Sequence, residues 1–588
     1  MNNSSRVHQV ISVAVSAIVI AAALEVSGLA VKQQILGRIV FVSYDFAWMT
    51  PLAYLLSVLP AVLIVDAVWR IPGRPLHLAT VTGALSAVLV FSLLVPYSAI
   101  AWWASAVLAA GAGLQVRRLA WSADPTRWIP RLQMVAALLL LPLVVAGVAV
   151  RITRANAETR AISSLPAAPA NAPNVLLLVL DTVRSKNLNL YGYARETTPE
   201  LVRLSETSTV FDTAFSTSSW TLPSHASMFT GQPASELDGA DWIRPLSPRH
   251  RVLAEVFREH GYASAGFAAN LNYTSYESGL SRGFSRYEDY SFSWPLLFMH
   301  SGLGRIDIKS RVPQARSLGQ GWRALINSRI EPRTTISSDV FSSAGEISRA
   351  FLNWQTNVRG RPFFAFLNFF DAHEPYRPAE EFRERFVKSQ SDLVGRYDAA
   401  IASIDHVVGQ ILRVLAERGV LDNTVLIVTS DHGEAFGEHG LTTHGNSLYL
   451  ETLRVPLIVR FPGAVPAGRR IDTAVSLADV PSTLLDLAHL RTDGIEGRSL
   501  AEFWAPGAQP AERDISARLT KGRYVSAAHK NAEGTLTSRM DQRFHYILNP
   551  DGTEELYDYR ADPDETRNLA ADPARQADLV RLRTRTAR

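Results

Sequence analysis

The sequence predicts an α/β domain with a mainly parallel sheet and a small antiparallel C-terminal subdomain, preceded by an all-α transmembrane domain. Three observations carry this. Residues 11–150 are mostly apolar, in stretches near the ~20 residues that cross a bilayer. Further on, three continuous apolar runs of strand length lead into Asp or His: Asn174–Leu180 into Asp181, Pro362–Phe370 into Asp371-Ala-His373, and Thr424–Thr429 through Ser430 into Asp431-His432. Helical patterns at 251–260, 343–354 and 393–418 separate them, and strands alternating with helices build a parallel sheet buried on both faces.

In chain order, the apolar stretches fall at 11–31, 46–69, 78–94, 100–114 and 132–150, and read as about five transmembrane helices within residues 1–150. Only the Pro96 region separates the third from the fourth, so four helices with one re-entrant piece are also allowed. A cleaved signal peptide accounts for the first stretch alone. With a cytoplasmic N-terminus, the inside loops carry Arg70, Arg74, Arg117, Arg118, Arg127 and Arg131, against Lys32 and Arg38 outside. The positive-inside rule then puts the C-terminal domain in the periplasm or on the cell surface. Glu25, inside the first stretch, is a candidate functional carboxylate that can also reach the interface.

Residues 151–173, rich in Ala, Pro, Asn and Ser, read as a linker, and 174–475 as the catalytic core. The part 476–570 holds a helix from Ala478 to Leu490 and strands at 524–528, 544–548 and 555–559, the last two joined by the turn Asn549-Pro-Asp-Gly552. Residues 571–588 read as a polar, fraying tail. Within the core, residues 290–333 form an insertion in which Tyr290, Phe292, Trp294 and Phe298 precede Arg305, Lys309, Arg311, Arg316 and Arg323. It reads as a lipid-contacting element, an active-site cover, or a solvated loop with a small core of its own.

Composition excludes several chemistries. The chain has no Cys, which removes disulfides, thiolate metal sites and a Cys nucleophile. Its net charge of +4 comes with no basic run interleaved with aromatics, so a nucleic-acid partner is not expected. What remains is the sheet edge. Ligands of open α/β sheets bind beyond the carboxyl ends of the strands, and three strands deliver Asp or His there, which points to a metal site. Thr221, in Ser219-Trp-Thr-Leu-Pro-Ser-His-Ala-Ser-Met-Phe-Thr-Gly231, stands at a helix start two residues before Pro223. Free N–H groups there attract anions, which suits a nucleophile for an anionic ester; the plainer reading is an N-capping Thr.

The ordered motifs Asn174-Val-Leu-Leu-Leu-Val-Leu-Asp181, Tyr191-Gly-Tyr193, Thr197-Thr-Pro199, Thr221-Leu-Pro-Ser-His225, His373-Glu-Pro375, Asp431-His-Gly-Glu434, Gly437-Glu-His-Gly440, Val455-Pro-Leu-Ile-Val459 and Leu556-Tyr-Asp558 resemble the sulfatase family of the alkaline phosphatase superfamily. The resemblance covers about 174–570 and implies an alkaline-phosphatase-like fold. It makes Asp181, Asp431 and His432 metal ligands and Thr221 the nucleophile at the same metal, with His373 and His444 near the ester oxygens. His225 and His439 are even candidates; Arg184 reads as a surface residue and Asp371 as a strand cap.

Three positions depart from the pattern. Sulfatases of the family have Cys or Ser where Thr221 stands, oxidised to formylglycine, and Arg where His225 stands; Thr cannot mature to that aldehyde. Many also have a second Asp where Thr182 stands. One carboxylate fewer, with an imidazole added, shifts one divalent metal site from Ca²⁺ toward Mn²⁺ or Zn²⁺, with Ca²⁺ still allowed. A Thr nucleophile with the Asp-His pair is similar to phosphonate and phosphodiester hydrolases, lipoteichoic acid synthases and phosphoethanolamine transferases, the last two of which carry a five-helix anchor.

The expected function is therefore a membrane-anchored, metal-dependent phosphoryl-group transferase or phosphodiesterase acting on an extracytoplasmic envelope ester. Its partners would be membrane lipids and a phospho- or sulfo-ester of a lipid or polymer headgroup, in a chain of bacterial character. The alternatives are a sulfatase-type hydrolase of sulfate or other small esters, and a catalytically inactive membrane-bound binding protein.

Overall fold

The structure is a computed structural model that describes the chain apart from residues 1–2, 72–75, 97–99, 306–340, 359, 390, 492–493, 506, 509, 514, 523–524, 527–528 and 587–588. Two compact units emerge: Met1–Asn156 with Ser291–Val340, and Ala157–Tyr290 with Phe341–Arg588.

The first unit holds helices α1 (Asn3–Ala30), α2 (Phe46–Arg70), α3 (Leu78–Leu94), α4 (Trp102–Ser122) and α5 (Pro125–Ala155), one for each apolar stretch. By length and apolar composition, Ser5–Ile35, Phe46–Arg70 and Pro125–Ser163 can cross a membrane; α3 is shorter, and α4 carries Arg117 and Arg118. Helices α3 and α4 pack backbone to backbone: a Cβ on Gly83 would lie 2.7 Å from the Gly113 carbonyl oxygen, so small residues set this contact.

Glu25 in α1 accepts hydrogen bonds from Tyr54 Oη of α2 at 2.6 Å and from the Gly302 amide at 3.2 Å, and lies 3.5 Å from Arg305 Nη1. The carboxylate is thus held by its own unit. The start of the insertion belongs to this unit as well. His300 Nε2 meets the Ser43 amide at 3.1 Å, and Phe292 stacks on Trp48. Lys309, Arg311, Arg316 and Arg323 lie outside the described residues.

In the second unit the strands are β1 (Asn174–Leu180), β2 (Thr209–Phe215), β3 (Ala263–Ala268), β4 (Arg286–Glu288), β5 (Phe363–Phe369), β6 (Thr424–Thr429), β7 (Ala435–Phe436), β8 (Thr442–Thr443), β9 (Arg454–Arg460), β10 (Arg469–Ile471), β11 (Val475–Ser476), β12 (Ile515–Leu519), β13 (Leu536–Met540), β14 (Phe544–Leu548) and β15 (Glu554–Asp558). The main sheet runs β10-β2-β9-β6-β1-β5-β3-β4, with β11 beside β2. It is parallel throughout except for β9, which pairs antiparallel with both β2 and β6.

Central strand β1 is buried on both faces, which is why its sequence shows no alternation. On one face Leu176, Leu178 and Leu180 join a core with Phe351, Trp354 and the Leu393–Glu417 helix. That helix is apolar enough to cross a membrane by composition, yet its stripe of Tyr397, Ile401, Ile404, Val408 and Ile411 recurs at helical spacing and is buried in this core. On the other face Phe366 packs edge-on to Phe229, and Phe364 stacks on Phe257.

Strands β12 to β15 form the expected antiparallel subdomain. The expected strand at 524–528 falls mostly outside the described residues; β12 and β13 complete the sheet instead. Two stretches differ from expectation. The 151–173 linker contains the end of α5 and a short helix, Ala157–Ser163, whose Glu158 accepts from Trp354 Nε1 at 2.8 Å. The 571–588 tail is a helix, Gln576–Thr586, because Leu579 and Leu582 sit one turn apart and bury against Phe544, Tyr546 and Leu556.

The helix that begins with Thr221, Thr221–Thr230, ends at Gly231 with φ +78°, and a Cβ there would collide with the Glu496 backbone. Gly231→Ala is expected to cost more than the ~1–3 kcal/mol of a left-handed non-glycine residue alone. Gly192→Ala, at φ +92° with open space around it, is expected to cost only that strain. Thermal unfolding followed by circular dichroism would rank the two.

Candidate active site

Strands β5, β1 and β6 are neighbours, with Leu180 paired to Phe369 and Val179 to Thr429. Their carboxyl ends therefore bring Asp181, Asp371-Ala-His373 and Asp431-His432 to one edge. The structure gathers Asp181, Asp431 and His432, all fully buried, with one potential ligand atom from each within 4.8 Å of the others.

Each carboxylate spends one oxygen on the protein and keeps the other without a hydrogen-bond partner. Asp181 Oδ2 accepts from Asn270 Nδ2 at 2.8 Å and Asn368 Nδ2 at 3.2 Å, while Oδ1 has no partner. Asp431 Oδ1 accepts from the Thr182 amide at 3.1 Å and the His432 amide at 2.8 Å, while Oδ2 has none. Burial and the neighbouring Asp431 push the Asp181 carboxyl well above the usual range, and burial pushes Asp431 up to about 7. His432 Nδ1 lies 3.0 Å from the Gly433 carbonyl, which can only accept, so Nδ1 carries the proton and Nε2 offers its lone pair. Two free carboxylate oxygens and one imidazole nitrogen fit a divalent cation. This mixed oxygen and nitrogen set suits Mn²⁺ or Zn²⁺ and allows Ca²⁺.

Thr221 Oγ1 lies 3.2 Å from His432 Nε2, at the first residue of its helix and almost wholly buried. Ser224 Oγ donates to the Asp431 carbonyl at 2.6 Å and so pins that helix to the Asp431-His432 loop. His444 lies beside His432, ring centroids 4.4 Å apart, and His373 lies 4.9 Å beyond His444. Burial pushes His432 down to about 4 and His444 to about 3, so both rings are neutral near pH 7. His444 Nδ1 sits 2.9 Å from Glu434 Oε1, whose partner oxygen accepts from Tyr376 Oη at 3.3 Å. His373 Nδ1 donates to the Glu374 carbonyl at 2.8 Å.

Other candidates take different places. His225 lies behind the group, its Nδ1 2.9 Å from the Thr221 carbonyl and 3.5 Å from Asp431 Oδ2; burial pushes its pKa down to about 3. His439 belongs to a different cluster, with Glu451 and Glu565. Arg184 is not a surface residue. It is buried, with Nη1 donating to the Glu434 carbonyl and to Glu438 Oε1, both at 2.8 Å, because a carbonyl and a carboxylate inside the Asp431–Gly440 loop need a donor. Asp371 caps the Ala344–Asn357 helix by accepting from the Ala344 amide at 2.9 Å.

Sequence reasoning missed Asn270, Asn368 and Tyr397. Tyr397 Oη donates to the Thr182 carbonyl at 2.7 Å and accepts from the Arg184 amide at 2.9 Å, fixing the turn after β1 where Thr182 has φ +62°. Asn368 had one signal, a lone polar residue inside the apolar β5 run; Asn270 and Tyr397 had none.

A buried hydroxyl at a helix start, facing a carboxylate and histidine group on the carboxyl edge of a doubly wound sheet, is the arrangement of an alkaline-phosphatase-like hydrolase. Residues 173–490, just over half of the chain, match the Sulfatase family, and residues 437–587 match "N-sulphoglucosamine sulphohydrolase, C-terminal". The chain belongs to the sulfatase family, whose members here are hydrolytic enzymes. A relative in Escherichia coli (strain K12), named uncharacterized sulfatase YidJ, is 24% identical over 446 residues, covering 68% of this chain and 83% of its own. Arylsulfatase K of Bos taurus is 25% identical over 482 residues, covering 74% and 85%. The solved phosphonate monoester hydrolase of Agrobacterium radiobacter shares the fold at a TM-score of 0.50 and 23% identity, over 69% of this chain and 93% of that one.

Asn270→Ala or Asn368→Ala removes a donor that orients Asp181. Either is expected to raise the divalent-metal concentration for half-maximal activity by roughly 10–100-fold, with little change in the metal-saturated rate. A metal titration of chelator-treated enzyme checks this.

Proposed function

We propose that the chain is a membrane-anchored, metal-dependent hydrolase of anionic esters, sulfate esters first, with Thr221 as the nucleophile. The observation that carries this reading is Thr221 Oγ1 at 3.2 Å from His432 Nε2, beside the unpartnered oxygens of Asp181 and Asp431. The names of the relatives, sulfatase and arylsulfatase, support ester hydrolysis and sulfate; they lend no support to the transferase expected from the sequence.

A divalent cation held by Asp181, Asp431 and His432 would supply Lewis acidity toward the ester and the Thr221 hydroxyl. Thr221 Oγ1 bonds to the sulfur or phosphorus atom as the leaving oxygen departs, and the Thr221 hydroxyl proton passes to the free ring nitrogen of the neutral His373 or His444 and from there to the leaving oxygen. Glu434 holds His444 through Nδ1 and leaves Nε2 for this transfer. Water then attacks the same central atom and regenerates the Thr221 hydroxyl. Backbone N–H groups at the start of the Thr221–Thr230 helix favour the anion.

A second reading, hydrolysis of a phosphorus ester, is favoured by Thr221 itself. Its ester to phosphorus is released by direct attack of water, whereas an alkyl sulfate on Thr lacks the aldehyde-hydrate route of formylglycine.

The reading includes an extracytoplasmic α/β unit in a bacterial envelope, acting on a lipid or polymer headgroup. Five crossings, or three with α3 and α4 as a hairpin on the inner side, both put the chain ends on opposite sides, and the Arg-rich loops support an outer C-terminus.

The full chain in detergent, supplied in turn with Mn²⁺, Zn²⁺ or Ca²⁺, is expected to hydrolyse an aryl sulfate, and Thr221→Ala to lower kcat/KM by at least about 1,000-fold. Faster turnover of an aryl phosphodiester than of the sulfate would move the conclusion to phosphorus. Unchanged activity in Thr221→Ala would remove Thr221 as nucleophile.

A further inference from the structure

We propose that His439, Glu451 and Glu565 form a second divalent-cation site, sharing no residue with the Asp181 group, that ties the C-terminal subdomain to the loop carrying Asp431 and His432. One potential ligand atom from each residue lies within 4.8 Å of the others, and His439 Nε2 is 3.8 Å from Glu451 Oε2. Atoms 3.8 Å apart can both lie at the ordinary N and O ligand distances of ~2.0–2.2 Å from one ion, and the wider pairs close to that range with a small side-chain shift.

The independent sign of a missing ligand is Glu451. Its side chain sits in the short Leu450–Leu453 helix, the residue is only 5% exposed, and Oε2 has no hydrogen-bond partner. Glu565, 1% exposed, already has its outer support. His545 Nδ1 lies 2.6 Å from Oε1, and the Leu450 amide donates to Oε2 at 2.8 Å. Ligating carboxylates of metal sites are themselves held by hydrogen bonds from outside the site, as Glu565 is here. Burial, with Glu565 and Glu438 nearby, also pushes Glu451 up to about 7, so the pair favours an added positive charge, whether proton or cation.

The third corner is built differently. His439 is exposed and has φ +53°, and its ring stacks on Tyr449 at 3.7 Å between centroids. That stacking holds the ring beside Glu451, with the His439 side chain itself 16% exposed. One imidazole and two carboxylates suit Zn²⁺ or Mn²⁺.

The placement gives the site a structural consequence. The Gly433 amide donates to the Thr452 carbonyl at 2.9 Å, and a Cβ on Gly433 would collide with the Glu451 carbonyl. Glu451 thus packs on the residue after His432, while Glu565 follows β15 of the C-terminal subdomain. A cation bridging them couples the two parts.

The test is metal stoichiometry on the full chain in detergent, equilibrated with Mn²⁺ alone or Zn²⁺ alone and measured by plasma mass spectrometry. Wild type is expected to bind two ions per chain and Asp181→Asn/Asp431→Asn one. His439→Ala and Glu451→Gln are each expected to lose one ion. Adding His439→Ala to the Asp181/Asp431 variant should also abolish the metal-dependent rise in melting temperature. Wild-type stoichiometry in both His439→Ala and Glu451→Gln, which means a shared proton in place of a cation, overturns the proposal. So does an Asp181→Asn/Asp431→Asn variant that binds none.

Discussion

Two carboxylates, Asp181 and Asp431, are forced together at the ends of adjacent strands, and the catalytic unit is arranged around that constraint. Both are fully buried, so their charge cannot be dispersed into water. Removing such a pair from water costs several kcal/mol per ion unless a partner of opposite charge is supplied. The protein supplies only half of the compensation. Asn270, Asn368 and the amides of Thr182 and His432 satisfy one oxygen of each carboxylate and leave the other pair of oxygens aimed at a common space. A rigid sheet is needed to hold this arrangement, because β1 is locked on both sides by β5 and β6 and cannot relax to separate the charges.

The loops around the site then act as braces. Tyr397, reaching from the long Leu393–Glu417 helix, bonds the turn after β1, and Arg184 on that turn reaches across to the Asp431–Gly440 loop. Ser224 ties the Thr221–Thr230 helix to the same loop. Each brace links segments that are distant in sequence, so the position of Thr221 against His432 follows from long-range contacts and not from local helix capping.

This explains what was legible beforehand. Strands buried on both faces write themselves as unbroken apolar runs, so β1, β5 and β6 and the residues at their ends could be read directly, and with them Asp181, His373, Asp431 and His432. Groups that act through long-range contacts leave no such pattern. Tyr397 is one apolar-stripe position among many in its helix, Asn270 stands in a loop, and Arg184 looks like any charged residue until its carbonyl and carboxylate partners are in place. The terminal helix was missed because only two leucines bury, too few to register against a polar background.

Two of the departures from the family pattern meet at Asp431. Thr182 stands where many sulfatases carry a carboxylate, and His225 where they carry an Arg. Both positions touch Asp431: the Thr182 amide donates to Oδ1, and His225 Nδ1 lies 3.5 Å from Oδ2. His225 is fully buried, and burial holds it neutral, so it brings no charge of its own. Neither position therefore carries charge beside the buried carboxylate, where an unpaired charge is costly. Neutral Thr182 and His225 thus flank Asp431, and the charge of the buried Asp181 and Asp431 pair is left to be balanced by a cation, with only the neutral imidazoles of His432 and His444 beside it.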